Sequence, residues 1–195
     1  MMKPTFKIAI TGGIGSGKSY FCRELERHGM KVYDCDFHAK RLMRSDRQLQ
    51  EALRSLVGNE VYAEDGTLCK SVLAKFILQG EEQKQAVNAV VHPYVARDFM
   101  QSDYQWLESA ILFESGFIRR IHVDHVVCVT APAEVRLQRI MQRDSLPCHR
   151  AQQWIAAQMP QEEMLRLSDF EIVNDGVADV GVQTCRLLEA LAINI

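Results

Sequence analysis

Eight consecutive residues, Gly12-Gly13-Ile14-Gly15-Ser16-Gly17-Lys18-Ser19, fit the pattern G-x-x-x-x-G-K-[ST] in full. Such a stretch suits one kind of chemistry. Its glycines let the backbone curl with N–H groups turned inward, which makes a nest for phosphate oxygens. A helix starting near Lys18 adds free N–H groups and the positive end of its dipole. The Lys18 ammonium can reach β- and γ-phosphates, and the Ser19 hydroxyl is a ligand suited to Mg²⁺. At average composition, a chance match in one such chain is on the order of a per cent or less. The motif predicts a nucleoside triphosphate and leaves the following reaction open.

Further candidates lie outside the loop. Asp34 and Asp36 follow a short apolar stretch, Lys31 to Tyr33. At a strand end, alternate residues face the same side, so one of the pair could approach a γ-phosphate. Phosphoryl transfer to an alcohol uses a carboxylate to orient the hydroxyl and take its proton. The competing role is a helix N-cap, common for Asp before a helix such as Phe37 to Arg44. Arg136, Arg139 and Arg143 have the spacing of one helix face, where a guanidinium can neutralise a transferring phosphoryl group. The bland alternative is a solvated basic face. Glu114 closes an apolar stretch and could ligate substrate, hold water around Mg²⁺ or cap a helix. His92-Pro93 ends an apolar helical stretch, where a histidine is more often structural.

The elements that position these residues can be read from hydrophobic periodicity. Phe6 to Ile10 is a buried strand, Lys18 to His28 an amphipathic helix stopped by Gly29, and Lys31 to Tyr33 a second strand. Strand, glycine loop, helix, strand opens a parallel α/β sheet, because parallel strands need a helical crossover. From Phe37 to Tyr104 the pattern is helical, with no strong strand. Strand signals return at Trp106 to Phe113, His125 to Thr130 and Phe170 to Val173. Between the last two lie a helix, Glu134 to Arg143, and a polar stretch, Asp144 to Arg166, that suits a mobile helical flap. Val180 to Leu191 closes the chain as a helix. Five strands alternating with helices predict a doubly wound sheet.

Length and composition agree with that reading. The chain has 195 residues, 47% hydrophobic and 25% charged, with a formal net charge of −2. This is ordinary for a globular chain and unlike a strongly basic nucleic-acid binder. The six cysteines form no C-x-x-C pair, so reduced thiols are expected. No apolar run approaches the ~18 residues of a membrane span, and Met1 to Ile10 does not read as a signal peptide. A cytoplasmic protein is expected, with no membrane, nucleic-acid or obligate protein partner.

GTPases would add N-K-x-D and D-x-x-G, and transporter ATPases L-S-G-G-Q. All are absent. A short chain with a helical insertion and an arginine-bearing flap fits a small-molecule kinase. Over nearly its whole length the sequence resembles the dephospho-CoA kinase family. The resemblance is carried by Ile10 to Ser19, Asp34-Cys35-Asp36, Asp65-Gly66-Thr67-Leu68, Asn88 to His92-Pro93, Leu112-Phe113-Glu114, Leu137-Gln138-Arg139 to Gln142-Arg143-Asp144 and Ile172 to Gly176. Three departures stand out. Tyr20 occupies a usual threonine position, Cys35 a usual alanine, and Ser109-Ala110-Ile111 a segment that usually carries a proline.

The resemblance implies an α/β P-loop core, with a five-stranded parallel sheet between helices, formed by residues 1–36, 105–143 and 167–195. It adds a helical CoA-substrate domain at 37–104 and a lid at 144–166. The implied reaction passes the ATP γ-phosphate to the ribose 3′-hydroxyl of dephospho-CoA, the last step of CoA synthesis, with Mg²⁺. Asp36 resembles the catalytic base, joined in catalysis by Lys18 and by Arg139, which resembles an arginine reaching the phosphates from the lid. Gly13, Ile14, Gly15, Ser16, Gly17, Lys18, Ser19, Tyr20 and Arg143 fall on the ATP side, with Ser19 toward Mg²⁺. Asn174 and Gly176 look like the adenine-lining loop. Thr11, His92 and Glu114 fall on the acceptor side with Asp36. The alternatives are another small-molecule P-loop kinase, such as a nucleoside or shikimate type, and a non-catalytic nucleotide-binding switch.

Overall fold

The computed structural model of the protein describes residues 6–193. The chain divides into two units. One holds the described part of Met1–Tyr33 with Tyr104–Glu114 and the described part of His122–Ile195; the other holds Asp34–Asp103 and Ser115–Ile121.

The first unit is built on a five-stranded sheet. Its strands are β1 (Ile8–Thr11), β2 (Val32–Asp34), β3 (Trp106–Glu108), β4 (His125–Thr130) and β5 (Phe170–Val173), in the order β2-β3-β1-β4-β5. β1 runs parallel to β3 and β4, and β4 runs parallel to β5. All four residues of β1 are buried, as expected for a central strand covered on both faces. The helix α1 (Lys18–Arg27) buries Phe21 and Leu25. Those two residues join Ile8, Ile10, Val127, Val129 and Ile172 in the main core. The ring of Phe21 meets Trp106 edge-on, with centroids 6.4 Å apart.

The chain leaves β1 toward β2 on one side of the sheet and leaves β3 toward β4 on the other. The crevice outside the carboxyl ends of β1 and β3 is therefore the topological switch point, where open α/β sheets bind ligands.

The second unit is helical. It contains α2 (Cys35–Ser45), α3 (Arg47–Val57), α4 (Lys70–Ile77), α5 (Glu81–Gln101) and a short helical turn, Phe117–Arg120. α2, α3 and α4 pack on α5, which buries Val87, Val91, Val95, Ala96 and Phe99. The remaining helices, α6 (Ala133–Asp144), α7 (Cys148–Ala156), α8 (Gln161–Arg166) and α9 (Val180–Ala190), belong to the first unit.

Two expectations fail locally. The helix holding His92 does not end at His92-Pro93 but runs through Pro93 to Gln101. Proline costs a helix roughly 3 kcal/mol by removing one N–H and crowding the preceding turn. Here apolar residues on both sides of Pro93 stay buried, and that burial offsets the loss. The strand expected at Trp106 to Phe113 stops at Glu108. The Ser109 N–H still reaches the Ile10 carbonyl at 3.0 Å. One residue later β1 ends at Thr11, so the ladder has no next partner.

Candidate active site

The segment between β1 and α1 is a closed turn. The Ser16 N–H donates to the Gly13 carbonyl at 3.1 Å, and the Tyr20 and Phe21 N–H groups both turn back to Gly17. Gly17 is the N-cap of α1 in the left-handed region, φ 92°, where a side chain is strained. A Cβ there would also run into Asn174 Nδ2. The pattern thus demands glycine for conformation and for space.

Lys18 opens α1. Its Nζ donates to the Gly12 carbonyl at 2.8 Å and lies 3.8 Å from Glu108 Oε1. Both side chains are mostly sheltered, at 10% and 18% exposure. The ammonium is thereby drawn back over the loop. Glu108 is missing from the sequence-based set. The available signal was its position at the end of a strand, which is weak for one glutamate inside an apolar stretch; strand order makes β3 the neighbour of β1.

Arg139, on α6, donates from Nη1 to the carbonyls of Gly15, Ser16 and Asn174 at 3.3, 3.3 and 2.9 Å, and from Nη2 to Asn174 Oδ1 at 3.3 Å. Asn174 is itself buried, and its Nδ2 donates to the Ser16 carbonyl at 3.0 Å. Arg139 and Asn174 together fasten the end of β5 to the loop. The Asn174 side chain is committed to this bracing. The following turn is closed by Asp175, which accepts from the Val177 and Ala178 N–H groups, with Gly176 at φ 91°. Those bonds hold the Asp175 carboxyl below the usual carboxylate range.

The three arginines of α6 have separate fates. Arg136 is buried, and its Nε donates to the Ile14 carbonyl at 2.9 Å. Arg139 holds the loop. Arg143 is exposed and forks onto its neighbour Asp144 at 2.7–3.1 Å. Tyr20 is 43% exposed, with the Arg23 guanidinium 6.0 Å from its ring centroid. Thr11 is fully buried, and its hydroxyl has no hydrogen-bond partner among the described residues; the same is true of the Ser16 hydroxyl. Glu114 Oε1 accepts from the Met159 N–H at 3.2 Å.

The stretch expected as a flap contains α7 and α8. α8 is anchored, since Met164 is fully buried and Gln161 Oε1 accepts from the Ala131 N–H at 3.1 Å.

In the helical unit, Asp34 is the N-cap of α2, accepting from the Phe37 N–H at 2.9 Å. Asp36 stands in the first turn of α2, exposed, with no hydrogen-bond partner among the described residues. The cap role falls to Asp34 and leaves Asp36 unspent. His92, on α5, packs edge-on against Phe117 with centroids 5.1 Å apart. Burial, helped by the nearby Arg120 charge, pushes its pKa down to about 4, so the ring is neutral near pH 7.

With a phosphate loop at the switch point of a parallel sheet and an arginine helix bracing it, the first unit has the architecture of the P-loop kinases. The dephospho-CoA kinase family model matches residues 6–179, and the chain belongs to that family. The dephospho-CoA kinase of Bacteroides fragilis strain YCH46 is 38% identical over 192 residues, 95% of this chain and 92% of its own. The crystal structure of TT1252 from Thermus thermophilus is similar at a TM-score of 0.78 and 31% identity, covering 97% of this chain and 98% of that one. Dephospho-CoA kinase from Campylobacter jejuni matches in fold, with a TM-score of 0.65 at 23% identity over 95% and 96% of the two chains. Membership makes the protein an ATP-dependent kinase that phosphorylates dephospho-CoA in CoA biosynthesis. Among the described residues, no helix is long and apolar enough to cross a membrane.

Proposed function

We propose that the γ-phosphate of ATP passes to the ribose 3′-hydroxyl of dephospho-CoA on this chain, leaving CoA and ADP. The observation that carries the reading is the Lys18 ammonium drawn over the Gly12 carbonyl beside Glu108, at the start of α1. A cation in that place, at the N-terminus of α1, is suited to follow the β- and γ-phosphates as charge moves in the transition state.

In this reading the loop from Gly13 to Ser19 cradles the phosphates through those N–H groups not bonded within the fold, and Arg139 lends its charge from α6. Tyr20, Arg143, Asn174 and Gly176 lie on the nucleotide side. Thr11, His92 and Glu114 serve the acceptor. Asp36 orients the acceptor hydroxyl and takes its proton; its exposed, unbonded carboxylate supports that role. The helical unit supplies the acceptor side, and α7 with its flanks, within residues 144–166, acts as a lid. The protein works in the cytoplasm.

Mg²⁺ fits the donor set. Ser19 stands exposed in the first turn of α1, next to Lys18, and a hydroxyl there suits a cation that keeps several waters and takes one or two protein oxygens beside phosphates. Ser19 would be its protein ligand. When bound, the ion supplies charge neutralisation across the β- and γ-phosphates.

The test is ADP release in a coupled assay, with ATP, Mg²⁺ and a panel of alcohol acceptors. Dephospho-CoA should be turned over far faster than shikimate or nucleosides, with the product phosphorylated at the 3′ position. Equal rates across unrelated acceptors, or ATP hydrolysis indifferent to any acceptor, would overturn the reading.

A further inference from the structure

Both polar groups of the Ile14 backbone are gripped by side chains for which the loop pattern has no requirement. Its N–H donates to Gln158 Oε1 at 2.6 Å, and its carbonyl accepts from Arg136 Nε at 2.9 Å. Arg136 is only 5% exposed. Its guanidinium lies so close over Gly13 that a Cβ on that residue would collide with Nη2. Gly13 is not among the positive-φ glycines, so Arg136, not backbone conformation, is what demands glycine there. The backbone of Arg136 also packs on Gly15, where a Cβ would come within 2.7 Å of the Arg136 carbonyl oxygen. Gln158 is held in turn: it sits in the link between α7 and α8, and the next N–H, of Met159, is taken by Glu114.

A glycine-rich turn has more backbone freedom to lose than any other stretch of its length. If nucleotide had to order it, that loss would come out of the affinity. The Ile14 N–H, spent on Gln158, is not open to a phosphate oxygen. Its role is as a handle by which the loop is held.

We propose that Arg136 and Gln158 are positioning residues for ATP: by gripping the carbonyl and N–H of Ile14 they hold residues 13–15 in the shape that lets the following N–H groups converge on phosphate. This rests on the loop being the ATP site.

The test compares Gln158→Met, Arg136→Met and the double variant with wild type. It reads kcat, KM for ATP, KM for dephospho-CoA, thermal midpoint, and calorimetric affinity for a non-hydrolysable ATP analogue. Loss of one neutral hydrogen bond in Gln158→Met should weaken ATP about 3- to 10-fold. Loss of a charged donor in Arg136→Met should weaken it about 10- to 100-fold. The acceptor KM should move little in either. The double variant should fall short of the product of the singles, because both act through one residue. Gly13→Ala should copy the ATP defect of Arg136→Met by displacing the guanidinium, and should add little to it. A lower thermal midpoint with unchanged ATP and analogue affinity would overturn the proposal, as would fully multiplicative effects. If Arg136→Met does not fold, the half-buried Gln158 decides the matter alone. If wild type does not phosphorylate dephospho-CoA, the functional reading fails, while analogue affinity in the variants still tests the grip.

Discussion

The loop after β1 and the first turn of α2 treat their polar groups in opposite ways. Around the loop nearly every chemical side chain is bonded to the fold: Lys18 to Gly12, Arg136 to Ile14, Arg139 to three carbonyls, Asn174 to Ser16. At the start of α2, Asp34 does the structural work of capping and Asp36 does none. A phosphate site gains from donors held in place before the ligand arrives, since reorganisation would cost affinity. A proton acceptor must stay open to the hydroxyl it serves.

The contrast can be broken most sharply at Asp36. Asp36→Asn keeps shape but removes charge and proton-accepting capacity, so kcat should fall roughly 10²- to 10⁴-fold with ATP affinity nearly unchanged. Asp34→Ala is its control: loss of the cap should cost about 1 kcal/mol of stability and little kcat. The reverse ranking of these two in a turnover assay would exchange the roles of the aspartates.

Next in size is Lys18. Lys18→Ala should lower kcat by at least ~10²-fold, by comparison with loss of one preorganised electrostatic donor. Its circular dichroism and thermal midpoint should stay close to wild type, because the lysine fills no core space. Near-normal turnover would mean that the ammonium over the loop is only a helix-start feature.

The smallest effect concerns His92, a half-buried titratable group of the helical unit. Its pKa in the fold is about 4, below the ordinary 6.5, so the unfolded chain binds the proton more readily. The neutral ring's contribution to stability is complete above about pH 6.5 and is lost as pH falls through about 4. Thermal midpoints of wild type should drop across that window more steeply than those of His92→Gln. Parallel curves for the two proteins would show that the ring pays no burial cost.

The phosphate loop, the first strand and the alternation of strands with helices were legible in the sequence because each rests on local rules. Glycine spacing sets the turn, apolar runs set the strands, and periodicity sets the helices. Position after a strand and spacing on a helix marked Asp36 and Arg139 as candidates; the structure places Arg139 on the loop and leaves Asp36 exposed in the first turn of α2. Glu108 was not, because nothing local distinguishes it: it matters only because β3 lies beside β1. Gln158 lies 144 positions from Ile14 and carries no motif. The three arginines of α6 looked alike at the level of spacing, and the fold gave them a buried brace, a loop clamp and a surface ion pair. Pro93 marked a helix end by propensity, and packing of its neighbours overruled it. The sequence by itself determined the phosphate chemistry and the order of the elements, since both follow from residues near one another along the chain. Which side chains grip the loop only the tertiary structure decided, because those contacts join residues far apart along the chain.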